Sequence, residues 1–121
     1  MGQDGAAHVG DDDMKLIRAI IRPEREGEVT ERLEAAGIYA MTKIPVLGRG
    51  QQRGIRVGAV SYDTLSKVML LLAVEDGDYE KTLGAITSGA HTGHPGDGRI
   101  FVQNLSEVYT IRSGRRRKNL A

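Results

Sequence analysis

The sequence predicts an α+β fold, a ferredoxin-like βαββαβ sandwich with an extra C-terminal strand and a long mobile loop. Three observations lead there. Short apolar runs bounded by Pro and Gly alternate with two stretches of helical period. The two halves of the chain resemble each other: Lys15, Leu16 and Arg22 match Lys67, Val68 and Val74 at an offset of 52, and Val29, Leu33 and Ala36 match Tyr79, Leu83 and Ile86 at an offset of 50. With one Phe and no Trp in 121 residues, the core must be aliphatic, which suits helices packed on a sheet.

Residues 1–13 hold little to bury and read as a disordered leader or residues added for expression. The domain is expected over 14–114. Lys15–Arg22 is an apolar run stopped by Pro23 and reads as a strand. Glu24–Ala36 changes period: Val29, Leu33 and Ala36 make one helical stripe, Glu24, Glu26 and Glu28 suit the helix's positive end, and Gly37 is a C-terminal stop. Ala40–Leu47 reads as the second strand. Gly48–Ser66, with four Gly, two Gln and no strong period, reads as the mobile loop. Lys67–Val74 is the most apolar run and is predicted to be a central strand buried on both faces. Asp76 or Asp78 is a candidate cap for a second helix, whose stripe would be Tyr79, Leu83, Ile86 and Ala90. A loop over Thr92–Gly98, a strand over Arg99–Gln103 and a short strand over Val108–Arg112 follow. Residues 115–121 read as a flexible basic tail.

Two βαβ units put both helices on one face of an antiparallel sheet and leave the other face bare. An apolar sheet face in water is unfavourable, so self-association is expected. Seventeen basic and 16 acidic residues give a net charge of +1, which supplies no field for nucleic acid or anionic membrane. The absence of Cys excludes disulfides, thiol catalysis and thiolate metal sites. No apolar run approaches the length of a membrane span, so no membrane insertion is expected and a cytoplasmic location follows by default.

Thr92–Arg99 (TGHPGDGR) is the foremost candidate site. Gly93, Gly96 and Gly98 allow a backbone nest of N–H groups, and Arg99 adds a cation. A plain tight turn into the next strand is the alternative. His91 and His94 flank the loop, but two His without Cys or an evident third ligand are poor support for zinc. The run Arg115–Lys118 is expected to be solvated, the candidate site being its other destination.

Several strings together resemble the PII signal-transduction family. Thr92–Val102 (TGHPGDGRIFV) is similar to its C-terminal signature, Ile111–Gly114 (IRSG) to the element that follows, Gly48–Gly54 to the opening of its T-loop, and Ile20–Pro23 to its first strand. The resemblance implies a homotrimer with ATP or ADP in clefts between subunits. It implies that Gly96, Asp97, Gly98 and Arg99 surround the phosphates with Arg112 nearby, that Met41, Thr42, Ile20 and Ala73 contact adenine, and that Gly48, Gly50 and Gln51 stand where the T-loop begins. Gln52 would help hold Mg²⁺, and Lys67 would pair with the distal carboxylate of 2-oxoglutarate. Thr110 departs from the pattern, since many members carry an Arg there. The short segment between Gly54 and Lys67, with Val60 at the position of the modified Tyr and Tyr62 two residues later, argues against uridylylation. That short loop, with Ala40–Lys43, Gly48–Gly50, Gly54–Gly58 and Val108–Arg112, resembles the nitrogenase-associated PII-like subfamily. The implied partners are a paralogous PII-like protein and nitrogenase.

Two other functions compete. A nucleotide-using enzyme of ferredoxin-like fold would need a nucleophile or paired carboxylates, and only Asp97 and Asp63 offer themselves. A PII-like sensor of a different small ligand, with a target such as an ammonium transporter, is the third reading. If Thr92–Arg99 is the phosphate loop, Gly98→Val is expected to abolish nucleotide binding and leave assembly intact.

Overall fold

The computed structural model describes residues 13–48, 55–57, 60–62 and 65–118. Strand β1 (Met14–Ile21) ends where Arg22 takes φ −66° and ψ 138°, the extended conformation imposed by the following Pro23. A 3₁₀ turn at Pro23–Arg25 leads into α1 (Glu26–Ala35). Gly37 stops that helix at φ 84°, while the Gly37 and Ile38 amides donate to the Glu34 and Leu33 carbonyls at 2.9 Å each. This is a Schellman closure, which needs the left-handed conformation that glycine tolerates. Then come β2 (Thr42–Gly48), β3 (Ile55–Val57), β4 (Val60–Tyr62), β5 (Leu65–Glu75), a 3₁₀ turn, α2 (Tyr79–Ala90), β6 (Gly98–Leu105), β7 (Glu107–Thr110) and β8 (Arg115–Lys118).

The main sheet has the order β2-β5-β1-β6 and every pair is antiparallel, the ferredoxin-like arrangement expected from the two βαβ units. Alternation sorts each strand. Ile17, Ala19, Ile21, Leu70, Leu72 and Val74 form a core with Val29 and Leu33 of α1 and Ile86 and Ala90 of α2. The register puts Leu16, Ile20, Ile44, Met69, Leu71 and Phe101 on the opposite face, which no helix among the described residues covers. Phe101 is 48% exposed there.

Five expectations need correction. Residues 55–57 and 60–62, read as loop, pair as the β3–β4 hairpin, and Leu65 and Ser66 already belong to β5. The strand expected to be buried on both faces is central in the sheet but covered on one side only, with Ala73 exposed. Neither Asp76 nor Asp78 caps α2 through its side chain, because the 3₁₀ turn Asp76–Asp78 delivers the chain to the helix. Asp76 instead pairs with Lys15 at 3.2 Å. The buried stripe of α2 is Thr82, Ile86, Gly89 and Ala90, rotated from the expected one, with Leu83 half-buried. The rotation follows from helix–helix contact: a Cβ at Gly89 would sit 3.0 Å from Val29 Cα, so α1 presses on α2 there. Thr82 tolerates burial because its hydroxyl donates to the Asp78 carbonyl at 2.7 Å. Finally, the last strand ends at Thr110, Ile111–Gly114 form a turn, and Arg115–Lys118 pair with β7 where a flexible tail was expected. Ion pairs of Arg116 with Glu107 and Arg117 with Glu75, at 3.5 and 3.3 Å, tie the basic residues down.

Leu70 is fully buried at the centre of the core. Leu70→Ala should lower stability by about 2–5 kcal/mol, read from the shift of a urea unfolding curve at constant m.

Candidate functional site

The loop Thr92–Asp97 joins α2 to β6, and its shape is set by the Asp97 carboxylate. Oδ2 accepts from the Thr92 and Gly93 amides at 2.8 and 2.9 Å. Oδ1 accepts from the Thr92 hydroxyl and, at 3.0 Å, from Arg22 Nε. Hydrogen bonds to the ionised form hold this carboxyl well below the usual carboxylate range, the Thr92 hydroxyl foremost, then the Thr92 amide, with the Gly93 amide and Arg22 adding to them against the opposing effect of burial. Three glycines make the turns: Gly93, Gly96 and Gly98 have φ of 87°, 96° and 108°.

Two cations reach the loop from neighbouring strands. Arg22, just past β1, donates from Nη2 to the Pro95 carbonyl at 2.6 Å. Lys67, near the start of β5, donates from Nζ to the Gly96 carbonyl at 2.5 Å. Gly48 lies against the Lys67 stem, since a Cβ there would be 3.2 Å from Lys67 Cγ. A concavity of about 320 Å³ opens beside the loop, lined among others by Ile20, Ile86, His91, Gly98 and Arg99. Gly96 and Asp97 have backbone amides that find no acceptor among the described residues. Arg99 is exposed. Unpaired amides beside an exposed guanidinium suit an oxyanion of high charge.

The structure thus brings Gly48, Lys67, Gly96, Asp97, Gly98, Arg99 and Ile20 into one neighbourhood, Ile20 pairing with Arg99 across β1–β6. Asp97 sits there with its side chain turned to the loop. Its oxygens are occupied by the loop and by Arg22, and that leaves it poorly suited to act as a base or nucleophile. Ala73 is six residues along β5 from Lys67, about 20 Å, and Thr42 pairs with Leu71 about 13 Å from it. Met41 packs against the core edge. Arg112 is exposed in the β7–β8 turn, outside the loop's hydrogen bonds. Within the chain, Ala73 and Thr42 therefore stand apart from the loop, and Arg112 makes no hydrogen bond to it. Gly50, Gln51 and Gln52 lie outside the described residues. No group of three His, Asp or Glu among the described residues could hold a metal. His91 stands 3.8 Å from Asp97.

Arg22 is the residue to which sequence reasoning gave no site role, and Thr92, inside the candidate loop, had no role of its own in that reasoning. The signal for Arg22 lies in the strand register: Ile21 pairs with Gly98, so Arg22 and Asp97, one residue beyond that pair, meet.

Comparison with known proteins adds an independent line. The family model described as "Nitrogen regulatory protein P-II" matches residues 14–115. The chain is 52% identical over 101 residues to the "Nitrogen fixation nifHD2 region GlnB-like protein 1" of Methanosarcina barkeri, covering 84% of this chain and 96% of the relative. It is 48% identical over 101 residues to the "Nitrogen fixation nifHD region GlnB-like protein 1" of Methanothermococcus thermolithotrophicus, with the same two coverages. With the "Nitrogen regulatory protein P-II 1" of Methanothermobacter thermautotrophicus it shares 46% over 105 residues, 84% of this chain and 91% of the relative.

Two outcomes follow from this geometry. A folded-state pKa below the unfolded one means that ionised Asp97 stabilises fully above the ordinary value near 3.9 and loses its contribution as pH falls below it. Unfolding curves should therefore show parent and Asp97→Asn separated by a constant gap from about pH 7 to 5, shrinking below about pH 4. Gly98→Val, in contrast with the expectation from sequence, should damage the fold itself, because a Cβ at 98 would lie 1.7 Å from the Ile20 carbonyl oxygen. Its amide exchange should show lost protection along β1 and β6, beyond any loss of ligand.

Proposed function

This chain belongs to the nitrogen regulatory protein P-II family, and from that premise we propose that it is a ligand-controlled regulator in which the loop Thr92–Arg99 receives the phosphates of ATP or ADP. The relatives named for nif regions put it in the nitrogenase-associated branch of that family. The observation that carries the reading is the loop's construction: Asp97 is consumed in shaping it, and the Gly96 and Asp97 amides and Arg99 are left for a ligand.

In the proposed assembly, a homotrimer, the bare sheet face of each subunit is covered by its neighbours. Its apolar members, Leu16, Ile20, Ile44, Met69, Leu71 and Phe101, favour burial. Residues that one subunit keeps apart from the loop, Thr42, Ala73 and Arg112, are then available to a site built from two subunits. Mg²⁺ would be held by phosphate oxygens together with Gln52, in keeping with its preference for oxygen donors and with the lack of a carboxylate cluster in the described residues. Lys67, already beside the loop, is the cation for 2-oxoglutarate. Ligand occupancy would bias the segment between Gly48 and Ser66 between two arrangements, one of which engages the target. The target proposed from the nif-region relatives is nitrogenase, with a paralogous PII-like protein as a further partner.

Calorimetry on an assembly whose mass is that of a trimer tests this. MgATP should bind alone, and 2-oxoglutarate should bind only when MgATP is present. Effector binding that is indifferent to ATP would contradict the shared site.

A further inference from the structure

We propose that Arg22 is a positioning residue for the phosphate loop: it fixes the loop's peptide planes so that successive amides face the ligand. The inference rests on the nucleotide reading above and extends it to a side chain that binds the Pro95 carbonyl and the Asp97 carboxylate of the loop. The peptide unit is planar and trans, so its N–H points opposite to its C=O. Arg22 draws the Pro95 carbonyl inward at 2.6 Å, and Lys67 draws the Gly96 carbonyl inward at 2.5 Å. The amides of those two peptide units belong to Gly96 and Asp97, and both must then face away from the cations. They are the two loop amides with no acceptor among the described residues.

The geometry separates the two pins. Lys67 makes one contact with a flexible ammonium, so a carboxylate effector can take it from Gly96. Arg22 holds two parts of the loop at once, Asp97 Oδ1 through Nε at 3.0 Å and Pro95 through Nη2. Its planar fork suits two acceptors in fixed relation, which a lysine cannot match. The side chains of Arg22 and Asp97 are 23% and 24% exposed, so the pair is partly shielded from competing water. A Cβ at Gly96 would sit 3.3 Å from Arg22 Nη2, so the guanidinium is packed directly beneath the loop backbone. When Lys67 leaves for an effector, Arg22 keeps the nest in shape.

The test compares the parent trimer with Arg22→Gln and Arg22→Lys, using MgATP as probe. Calorimetry should show ATP binding weakened about tenfold or more in Arg22→Gln, as expected for loss of charge-assisted hydrogen bonds, with Arg22→Lys between it and the parent. In ligand-free protein the amide signals of Gly93, Gly96 and Gly98 should move in both variants while those of α1 stay in place. Arg22→Lys carries the test should Arg22→Gln fail to assemble. Parental affinity in Arg22→Lys would reduce the role to charge alone and overturn the proposal, as would glycine amides that do not move. A parent that binds no ATP would refute the nucleotide reading, and the ligand-free amide spectra would still decide whether Arg22 shapes the loop.

Discussion

The close approach of β6 to β1 at Gly98 constrains the rest of the molecule. At that point the α2–β6 loop must become a strand pressed against the Ile20 carbonyl, leaving no volume for a side chain. Only with Gly98 in the left-handed region can β6 pair along its whole length with β1, from Ile21↔Gly98 to Met14↔Leu105. That pairing brings Arg22 and Asp97 together one residue further on. Asp97 then closes the loop on the Thr92 and Gly93 amides, and the loop's carbonyls fall within reach of Arg22 and Lys67. A packing requirement inside the sheet and the geometry of the candidate site thus share one residue.

The sheet divides the labour between its faces. On one, two helices bury Ile17, Ala19, Leu70 and Leu72 and make a core that a single subunit completes. On the other lie Leu16, Met69, Leu71 and Phe101, which no described helix covers. The first face holds the chain's core, while the second presents apolar side chains that the described helices leave uncovered. The candidate site lies at the sheet's end, where β1, β5 and the α2–β6 loop converge, and Lys67, which donates to that loop, also lies against Gly48.

Much of this was legible from residues alone where a local rule governs. Pro23 had to end β1, Gly37 had to end α1, and the spacing of Val29 and Leu33 marked the buried side of that helix. The Gly pattern of Thr92–Arg99 announced a turn able to receive an anion. Where the outcome depended on a partner element, the reading missed. The stripe of α2 was placed by apolar character, and Leu83 was preferred to Thr82. The structure chose Thr82 and Gly89, because α1 needs a small residue at 89 and Thr82 can satisfy its own hydroxyl. Arg115–Lys118 looked like a solvated tail because the acidic partners Glu75 and Glu107 are distant or separated in sequence, and only pairing with β7 brings them within reach. That the Asp97 side chain turns to the Thr92 and Gly93 amides and to Arg22 was not legible either, because nothing in a string of letters shows which way a carboxylate turns.

By itself the sequence determined the two helices, the four strands of the main sheet, their ferredoxin-like order and a glycine-rich turn at Thr92–Arg99, because turn residues, helical period and apolar runs act over a few neighbouring positions. Tertiary structure alone decided that Asp97 folds the loop, that Lys67 and Arg22 hold its carbonyls, and that Gly98 is indispensable to the sheet. Those roles depend on contacts between residues as far apart as Arg22 and Asp97, and the strand register that sets those contacts is a property of the assembled sheet.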